Sequence, residues 1–339
     1  FVGFWLAGES LGRRLKRLVL YGNNRPSAVQ KRCSVYTQPC CSVARSGILI
    51  SSYSYINKDD AARLAENSSP PPAFTITDEP TAAYIHMLFG IADPNLALLS
   101  SGFTPKLYRA LKLLETHWQA MLEDLSTGKI NAKLPLNPDV RRSLQGYLRP
   151  DQDRVSQLRR EFEKGFEGIV KRIWPHLIAL NGIDVWGKLK KLRDTYGKGV
   201  PCVSSTFTCT EGGHLGINLW LDEDNPKYVL LPHMAVYEFI PEDQRSEKDP
   251  KSLPIDEVEV GGRYELVLTT RSGLYRYRNG DVVRVAGFHE NCPVIRLLYR
   301  TGECLNLVFE KTNTELVAAA VSTTLESWPG FQLVDWTCA

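Results

Sequence analysis

A short segment between residues 207 and 219 combines an aromatic ring, hydroxyl groups, a carboxylate and several glycines. It reads Phe207-Thr208-Cys209-Thr210-Glu211-Gly212-Gly213 and continues into Gly216-Ile217-Asn218-Leu219. An aromatic ring can stack on a base, a hydroxyl can contact phosphate, and a carboxylate can hold a hydrated Mg²⁺ between phosphates. The segment follows a predicted parallel strand, where ligands bind in open α/β sheets. Nucleotide binding is one interpretation, and a plain glycine turn is the other.

A second segment places an acidic residue in a glycine turn between two predicted strands. It reads Gly273-Leu274-Tyr275-Arg276-Tyr277-Arg278-Asn279-Gly280-Asp281. An aspartate held in such a turn can accept hydrogen bonds from both ribose hydroxyls. The alternative is an ordinary hairpin turn, for which Asn-Gly-Asp is a frequent sequence.

A third group is basic and follows the second. Arg296 and Arg300 stand before Gly302, and Lys311-Thr312-Asn313 comes shortly after. Arginine suits phosphate or carboxylate because its planar fork donates two parallel hydrogen bonds. The alternative is the exposed edge of a strand.

Two helices are predicted ahead of these segments. Thr104 has the character of an N-cap and Pro105 that of a first helical residue. Apolar residues then recur every three or four positions up to Gly128, which predicts the end of the helix. A second helix is predicted from Asp151 to Ile173, where a similar apolar stripe precedes Pro175.

Strands dominate the rest of the chain. A strand is predicted at Leu177–Leu180, a helix at Trp186–Tyr196 and a second strand at Val200–Phe207. This order predicts a parallel, right-handed crossover. We therefore expect residues 200–207 to form a central parallel strand of a mixed sheet. Further strands are predicted at Tyr228–Leu231, Val236–Ile240, Tyr264–Thr270, Val282–Ala286 and Ile295–Tyr299.

Composition narrows the class of protein. The 339 residues are 43% hydrophobic and 23% charged, and the net charge is +3, which is an ordinary globular balance. No apolar run reaches ~18 residues, so no membrane span is predicted. Residues 1–50 hold eight basic residues and one acid. A nucleic-acid or membrane surface is one interpretation of that stretch, but a solvated helix face is favoured, so no nucleic-acid partner is expected.

The cysteines indicate a reducing compartment. Eight occur, without a C-x-x-C pair and with irregular spacing. Zinc binding is therefore not predicted. The cysteines instead predict a cytoplasmic protein with reduced thiols.

Taken in order, these segments resemble motifs of the Gretchen Hagen family of auxin-responsive acyl acid–amido synthetases, which belong to the adenylate-forming superfamily. The family's second motif, Tyr-Gly-x-Ser-Glu and then Gly-Ile/Val-Asn, corresponds to Phe207–Glu211 and Gly216–Asn218. Its third motif, Tyr-Arg-x-Gly-Asp after Gly-Leu, corresponds to Gly273–Asp281. The resemblance is closer to animal-type members than to plant hormone enzymes. Matching flanks are Tyr84–Phe89, Leu125–Gly128, Trp174-Pro175, Met234–Phe239 and Tyr264–Val267.

The resemblance implies roles for single residues. Phe207 would pack on adenine, Thr210 would face the α-phosphate, and Glu211 would hold Mg²⁺. Thr210 and Glu211 would thereby take part in catalysis. Asp281 would bind ribose, and Arg300 matches an arginine near the hinge before the C-terminal domain. The implied nucleotide-binding set is Phe207, Thr208, Thr210, Asp281 and Arg300.

The resemblance also implies a fold and a reaction. The fold would be α/β, an adenylate-forming (acyl-CoA synthetase/luciferase-like) large N-terminal domain with mixed sheets and flanking helices, truncated. Residues 1–300 would belong to that domain, and residues 301–339 to the hinge and the start of a small C-terminal domain. With ATP and Mg²⁺, the enzyme would activate a small carboxylic acid as an acyl-adenylate and join it to an amine or amino acid.

Departures from the family pattern leave a second interpretation open. The first motif, Ser-Ser-Gly-Thr-Ser-Gly with a following lysine, is not found, and the chain is expected to begin just after it. Phe207 lacks the tyrosine hydroxyl, Thr208 replaces a glycine, and a Thr-Gly-Ser segment is degraded to residues 181–184. The alternative is a catalytically degenerate member that acts as a binding or scaffold protein.

Overall fold

The computed structural model describes residues 31–34, 67–184, 188–209, 211–220, 225–301, 304–305 and 312–328. The chain divides into two compact units, Phe1–Ser204 and Ser205–Ala339. Most of the basic stretch of residues 1–50 lies outside the described residues.

The first unit is a parallel sheet with helices. The four strands that its described residues form have the order β1-β2-β3-β4, and every neighbouring pair is parallel. A short 3-10 helix, Pro71–Thr75, precedes the first α-helix. The elements are β1 Lys31–Ser34, α1 Glu79–Ala92, β2 Leu96–Phe103, α2 Thr104–Thr127, α3 Pro138–Gln145, α4 Gln152–Phe162, α5 Ile169–Ile173, β3 Ala179–Ile183, α6 Lys188–Asp194 and β4 Cys202–Val203.

Helix α2 supplies a large part of the core of this unit. Leu107, Leu111 and Leu114 are fully buried, as their three-to-four spacing predicts. Gly128 ends the helix in the left-handed region at φ +66°. Thr104 is not the N-cap that we expected. It is the first helical residue, and its hydroxyl donates to the carbonyls of Gly182 and Ile183 on β3 instead.

The helix predicted from Asp151 to Ile173 is two helices. Helix α4 ends at Phe162 and α5 begins at Ile169. Gly165 and Gly168 between them have φ values of +88° and +61°, which a continuing right-handed helix excludes. The apolar stripe continues across the break, and this explains why the pattern suggested one helix.

The prediction of a single central strand at residues 200–207 is wrong. Cys202–Val203 pairs in parallel with β3, so the parallel pairing of the predicted crossover is confirmed, but among the described residues this strand is at the edge of the first sheet. Thr206–Cys209 belongs to the other sheet and pairs antiparallel. Ser204 and Ser205 separate the two strands. Ser204 accepts from the Asp184 amide at 3.0 Å, and the Ser205 carbonyl accepts from the Asn218 amide.

The second unit is built on an antiparallel sheet of seven strands in the order β5-β6-β7-β11-β10-β9-β8. Hydrogen bonds between distant strands show that the sheet curls. The Tyr237 hydroxyl on β8 donates to the carbonyls of Leu215 on β6 and Leu231 after β7. The elements are β5 Thr206–Cys209, β6 Gly213–Ile217, β7 Tyr228–Leu230, β8 Ala235–Pro241, β9 Arg263–Thr270, β10 Tyr277–His289, β11 Cys292–Arg300, β12 Cys304–Leu305, β13 Thr312–Asn313 and α7 Thr314–Glu326.

The concave side of this sheet forms the core of the second unit. Leu266 on β9, Val283 and Val285 on β10, and Ile295 on β11 are all fully buried there. Within the described residues, none of the helices combines the length and the apolar character that a membrane crossing requires.

Candidate functional site

A wide bulge in β10 carries Asp281. Arg278 pairs with Val267 and Val282 pairs with Glu265, so four steps along β10 face two along β9. Two extra residues are therefore looped out of the ladder. Gly280 has φ +80°, and its carbonyl accepts from the Thr301 amide at 2.7 Å. The Asn-Gly-Asp sequence makes a bulge within a strand, so the hairpin-turn interpretation is wrong.

The hairpin turn itself lies a few residues earlier. The Thr270 amide donates to the Leu274 carbonyl at 2.9 Å, and Gly273 has φ +103°. Tyr275 follows this turn and is highly exposed.

The Asp281 carboxylate is almost completely buried and has several partners. Arg300 donates from Nε to Oδ1 at 2.7 Å and from Nη2 to Oδ2 at 3.1 Å. Asn279 Nδ2 donates to Oδ2 at 2.8 Å, and the Asp281 amide donates back to Asn279 Oδ1 at 3.0 Å. The side chain of Asp281 is 3% exposed and that of Arg300 is 43% exposed. The pair thus places a fixed carboxylate beneath a guanidinium that reaches the surface.

Glu211 lies near this pair. Burial raises the pKa of Asp281 above its ordinary value, and the Glu211 carboxylate adds to that rise, against the lowering influence of Arg300. The structure therefore brings Glu211, Asp281 and Arg300 into one neighbourhood although they are far apart in the sequence.

The β5–β6 hairpin positions Glu211. Gly213, at φ +71°, lets the chain turn back into β6, and the Gly212 amide donates to Cys209 Sγ at 3.2 Å. Burial, with the Glu211 carboxylate close by, raises the pKa of the Cys209 thiol to about 11. Cys209 is therefore a protonated packing residue, and Thr210 lies outside the described residues.

Phe207 and Thr208 occupy different environments on β5. Phe207 is 5% exposed, and its ring packs against Tyr228 with centroids 5.9 Å apart. Thr208 is half-buried and pairs with His214 on β6, where burial lowers the histidine pKa. Phe207 therefore contributes to the core of the sheet, and its contact with adenine stays a prediction.

Arg296, the other arginine of the third group, pairs with Arg284 across β10 and β11. Gly302 and Lys311 lie outside the described residues, and Thr312–Asn313 forms β13. Across the described part of the chain, no group of three or more His, Cys, Asp and Glu residues could hold a metal ion by itself.

Two partners of this site were not predicted from the sequence. Asn279 holds Asp281 directly, and Glu265 on β9 forms an ion pair with Arg278 at the base of the bulge. The Asx-type contact between residues 279 and 281 has a local signal, since Asn side chains commonly bond backbone two residues on. Glu265 has none, because a strand glutamate is ordinarily a solvent-facing residue.

Comparison with protein-family models matches both parts of the chain. Residues 13–186 match the GH3 family N-terminal domain, and residues 228–300 match the GH3 family central domain. The second match contains the bulge and ends at Arg300. The chain belongs to the GH3 family. The predicted resemblance is confirmed.

Other GH3 proteins are similar over most of this chain. Indole-3-acetic acid-amido synthetase GH3.8 of Oryza sativa subsp. indica is 32% identical over 282 residues, covering 80% of this chain and 46% of the relative. Probable indole-3-acetic acid-amido synthetase GH3.1 of Arabidopsis thaliana is 31% identical over 281 residues, covering 80% and 46%. The chain spans about half the length of the curated GH3 relatives that it matches.

A solved GH3 structure has the same fold. The GH3.15 acyl acid amido synthetase superposes with a TM-score of 0.76 at 25% identity, covering 96% of this chain and 59% of that one. The predicted fold class, an adenylate-forming α/β fold with mixed sheets, is confirmed.

Proposed function

We propose that the whole protein is an ATP-dependent acyl acid–amido synthetase. The observation that carries the proposal is the neighbourhood of Glu211, Asp281 and Arg300, within a chain whose GH3 relatives are amido synthetases. The implied substrates are a small carboxylic acid and an amine or amino acid, and the implied compartment is the cytoplasm. Residues 1–300 are assigned to a large N-terminal domain, a boundary supported by the end of the central-domain match.

The proposed reaction has two steps. In the first, a carboxylate oxygen of the acid attacks the α-phosphorus of ATP, the α–β phosphoanhydride bond breaks, and pyrophosphate leaves. In the second, the amine attacks the acyl carbon of the adenylate, the acyl–phosphate bond breaks, AMP leaves, and one proton is released. Positioning and charge neutralisation are the protein's contributions to such transfers.

Asp281 and Arg300 would bind the nucleotide. The bulge holds the Asp281 carboxylate in place before ligand arrives, and a carboxylate can accept from both hydroxyls of a ribose. Arg300 donates to both carboxylate oxygens, so a ribose hydroxyl gains an acceptor once Arg300 moves aside. The exposed guanidinium of Arg300 is then able to pair with an anionic group of the nucleotide.

Glu211 would hold Mg²⁺ together with the nucleotide phosphates. A single carboxylate fits this ion, since Mg²⁺ usually keeps several waters and takes one or two carboxylates plus substrate phosphates. The Glu211 carboxylate is close enough to raise the pKa of Asp281, and a cation bound there would offset that repulsion. When bound, the ion would neutralise phosphate charge, and Thr208 and Thr210 would offer hydroxyls to the phosphates.

The test is ATP-dependent release of pyrophosphate by the full-length protein with a panel of carboxylic acids, alongside direct measurement of ATP binding. Asp281→Ala should weaken ATP binding, whereas Asp256→Ala, which removes an exposed loop carboxylate, should not. Glu211→Ala should mainly slow the chemical step. Binding without turnover on any acid would favour the degenerate binding protein, and no ATP binding by the wild type would reject both nucleotide roles.

A further inference from the structure

An ion pair closes the bulge that carries Asp281. Arg278 is the last residue of β10 before the bulge, and Glu265 on β9 faces Val282, the first residue after it. Arg278 Nε donates to Glu265 Oε1 at 2.9 Å, and Nη2 donates to Oε2 at 2.5 Å. The two parallel hydrogen bonds therefore span the gap that the looped-out residues leave in the ladder.

This pair differs from an ordinary surface salt bridge. The Glu265 side chain is 4% exposed and that of Arg278 is 40% exposed, and the hydrogen bonds to Glu265 raise the pKa of Arg278 above its ordinary value. A neighbouring pair, Arg276 just before β10 with Glu238 on β8, is more open, with side chains 49% and 24% exposed and one contact at 3.2 Å. The Arg278–Glu265 pair therefore differs from this neighbouring pair in its buried carboxylate and its two parallel hydrogen bonds, and such bidentate geometry fixes the orientation of the partners better than one exposed contact does.

Arg245 connects the Arg278–Glu265 ion pair to β11, the strand that carries Arg300. Its carbonyl accepts from Arg278 Nη2 at 2.8 Å, and its Nη1 donates to the Tyr299 hydroxyl at 3.2 Å. The Arg245 guanidinium also lies over the Tyr299 ring, 5.6 Å from the centroid. Tyr299 immediately precedes Arg300 on β11, so one loop residue links β10, which carries Asp281, to β11, which carries Arg300.

We propose that Glu265 is a positioning residue for nucleotide binding, acting through Arg278 on the Asp281 bulge. This inference rests on the proposed function, since it takes Asp281 to contact the nucleotide. Glu265 itself is buried, and its carboxylate accepts from Arg278, so its influence on the nucleotide would be indirect. Its carboxylate holds Arg278 at the base of the bulge. The bulge in turn holds the Asp281 carboxylate in the position from which it would bind the ribose.

Glu265→Gln tests the proposal, because the amide keeps the shape but removes the charge and one acceptor. In the full-length protein we expect the KM for ATP to rise about tenfold with kcat within about twofold, as for loss of uniform binding. Amide hydrogen exchange at Asp281 and Thr301 should quicken about tenfold, because those amides bond within the bulge. The matched control, Glu238→Gln, should change neither quantity.

Arg278→Lys is the second variant, and it keeps the charge without the fork. It should give an intermediate rise in KM and an intermediate rise in exchange. An unchanged KM for ATP in Glu265→Gln, or an equal effect of Glu238→Gln, would overturn the inference while wild-type turnover upholds the proposed function. If the wild type neither binds nor consumes ATP, the proposed function fails and this inference fails with it.

Discussion

The Asp281–Arg300 pair is asymmetric, and that asymmetry is measurable. Arg300→Ala leaves a buried carboxylate with Asn279 as its remaining side-chain donor. Breaking a buried ion pair in this way costs about 3–5 kcal/mol, and since the Arg300 side chain is 43% exposed, solvent screening reduces the expected cost to about 2–3 kcal/mol. Asp281→Asn leaves a guanidinium that can turn to water, and it should cost about 1 kcal/mol.

The cost of Arg300→Ala should depend on pH. Burial already raises the pKa of Asp281 above its unfolded value of 3.8, and removal of the guanidinium removes an opposing influence. In Arg300→Ala, the folded state therefore binds more protons than the unfolded state between pH 3.8 and the raised folded pKa of Asp281. The free energy of unfolding of this variant falls as the pH rises through that window. Lowering the pH should therefore narrow the difference between the variant and the wild type, because a protonated Asp281 does not need Arg300.

Native-state hydrogen exchange of the β10 and β11 amides at about pH 4.5 and about pH 7.5 measures this difference in free energy locally. Arg284→Ala, which removes an exposed arginine from β10, is the control and should cost little at either pH. A cost for Arg300→Ala that is equal at both pH values would refute the reasoning. A larger cost for Asp281→Asn than for Arg300→Ala would refute it too.

Three further predictions concern backbone, packing and thiol chemistry. Gly280→Ala should lower the free energy of unfolding by about 1–3 kcal/mol in denaturant titration, because φ is +80° and a Cβ would come within 2.6 Å of Thr301 Oγ1. Leu111→Ala, in the core of the first unit, should lower the free energy of unfolding by about 2–5 kcal/mol in the same assay. A loss below about 1 kcal/mol would mean that the neighbouring side chains fill the cavity. The Cys202 thiol, whose pKa burial raises to about 12, should resist alkylation at about pH 8 in the native protein. Cys292, only half-buried, should react before Cys202, and the reverse order measured by mass spectrometry would contradict the burial assignment.

Elements with a strong apolar period could be predicted from the sequence, and their interruptions could not. Helix α2 follows from its leucine spacing, and the strands of the second sheet follow from their alternation. The break at Gly165 and Gly168 was missed because isolated glycines occur inside helices too. Apolar and β-branched residues lie on both sides of Ser204-Ser205 in residues 200–207, and two serines were too short a signal to locate the change of sheet there.

The site could be predicted in part for a similar reason. Asn-Gly-Asp fits a hairpin turn and a bulge equally well, and only the pairing of the flanking strands distinguishes them. The proximity of Glu211 to Asp281 depends on how the seven-stranded sheet curls, which no local pattern specifies. Glu265 was missed because its burial depends on the loop containing Arg245, whose contacts are tertiary.

The bulge also makes the number of residues in this segment matter separately from their identity. Because side chains alternate with a period of two, removing one residue from 279–281 would turn Val283 and Val285 out of the core. Removing two would restore regular pairing between β9 and β10 and keep every later side chain on its face. Insertions and deletions in this segment are therefore sorted by parity: odd changes unfold the sheet, whereas the loss of two residues preserves the fold and removes the bulge that presents the carboxylate. A lineage could lose this site in one step and keep a well-packed protein.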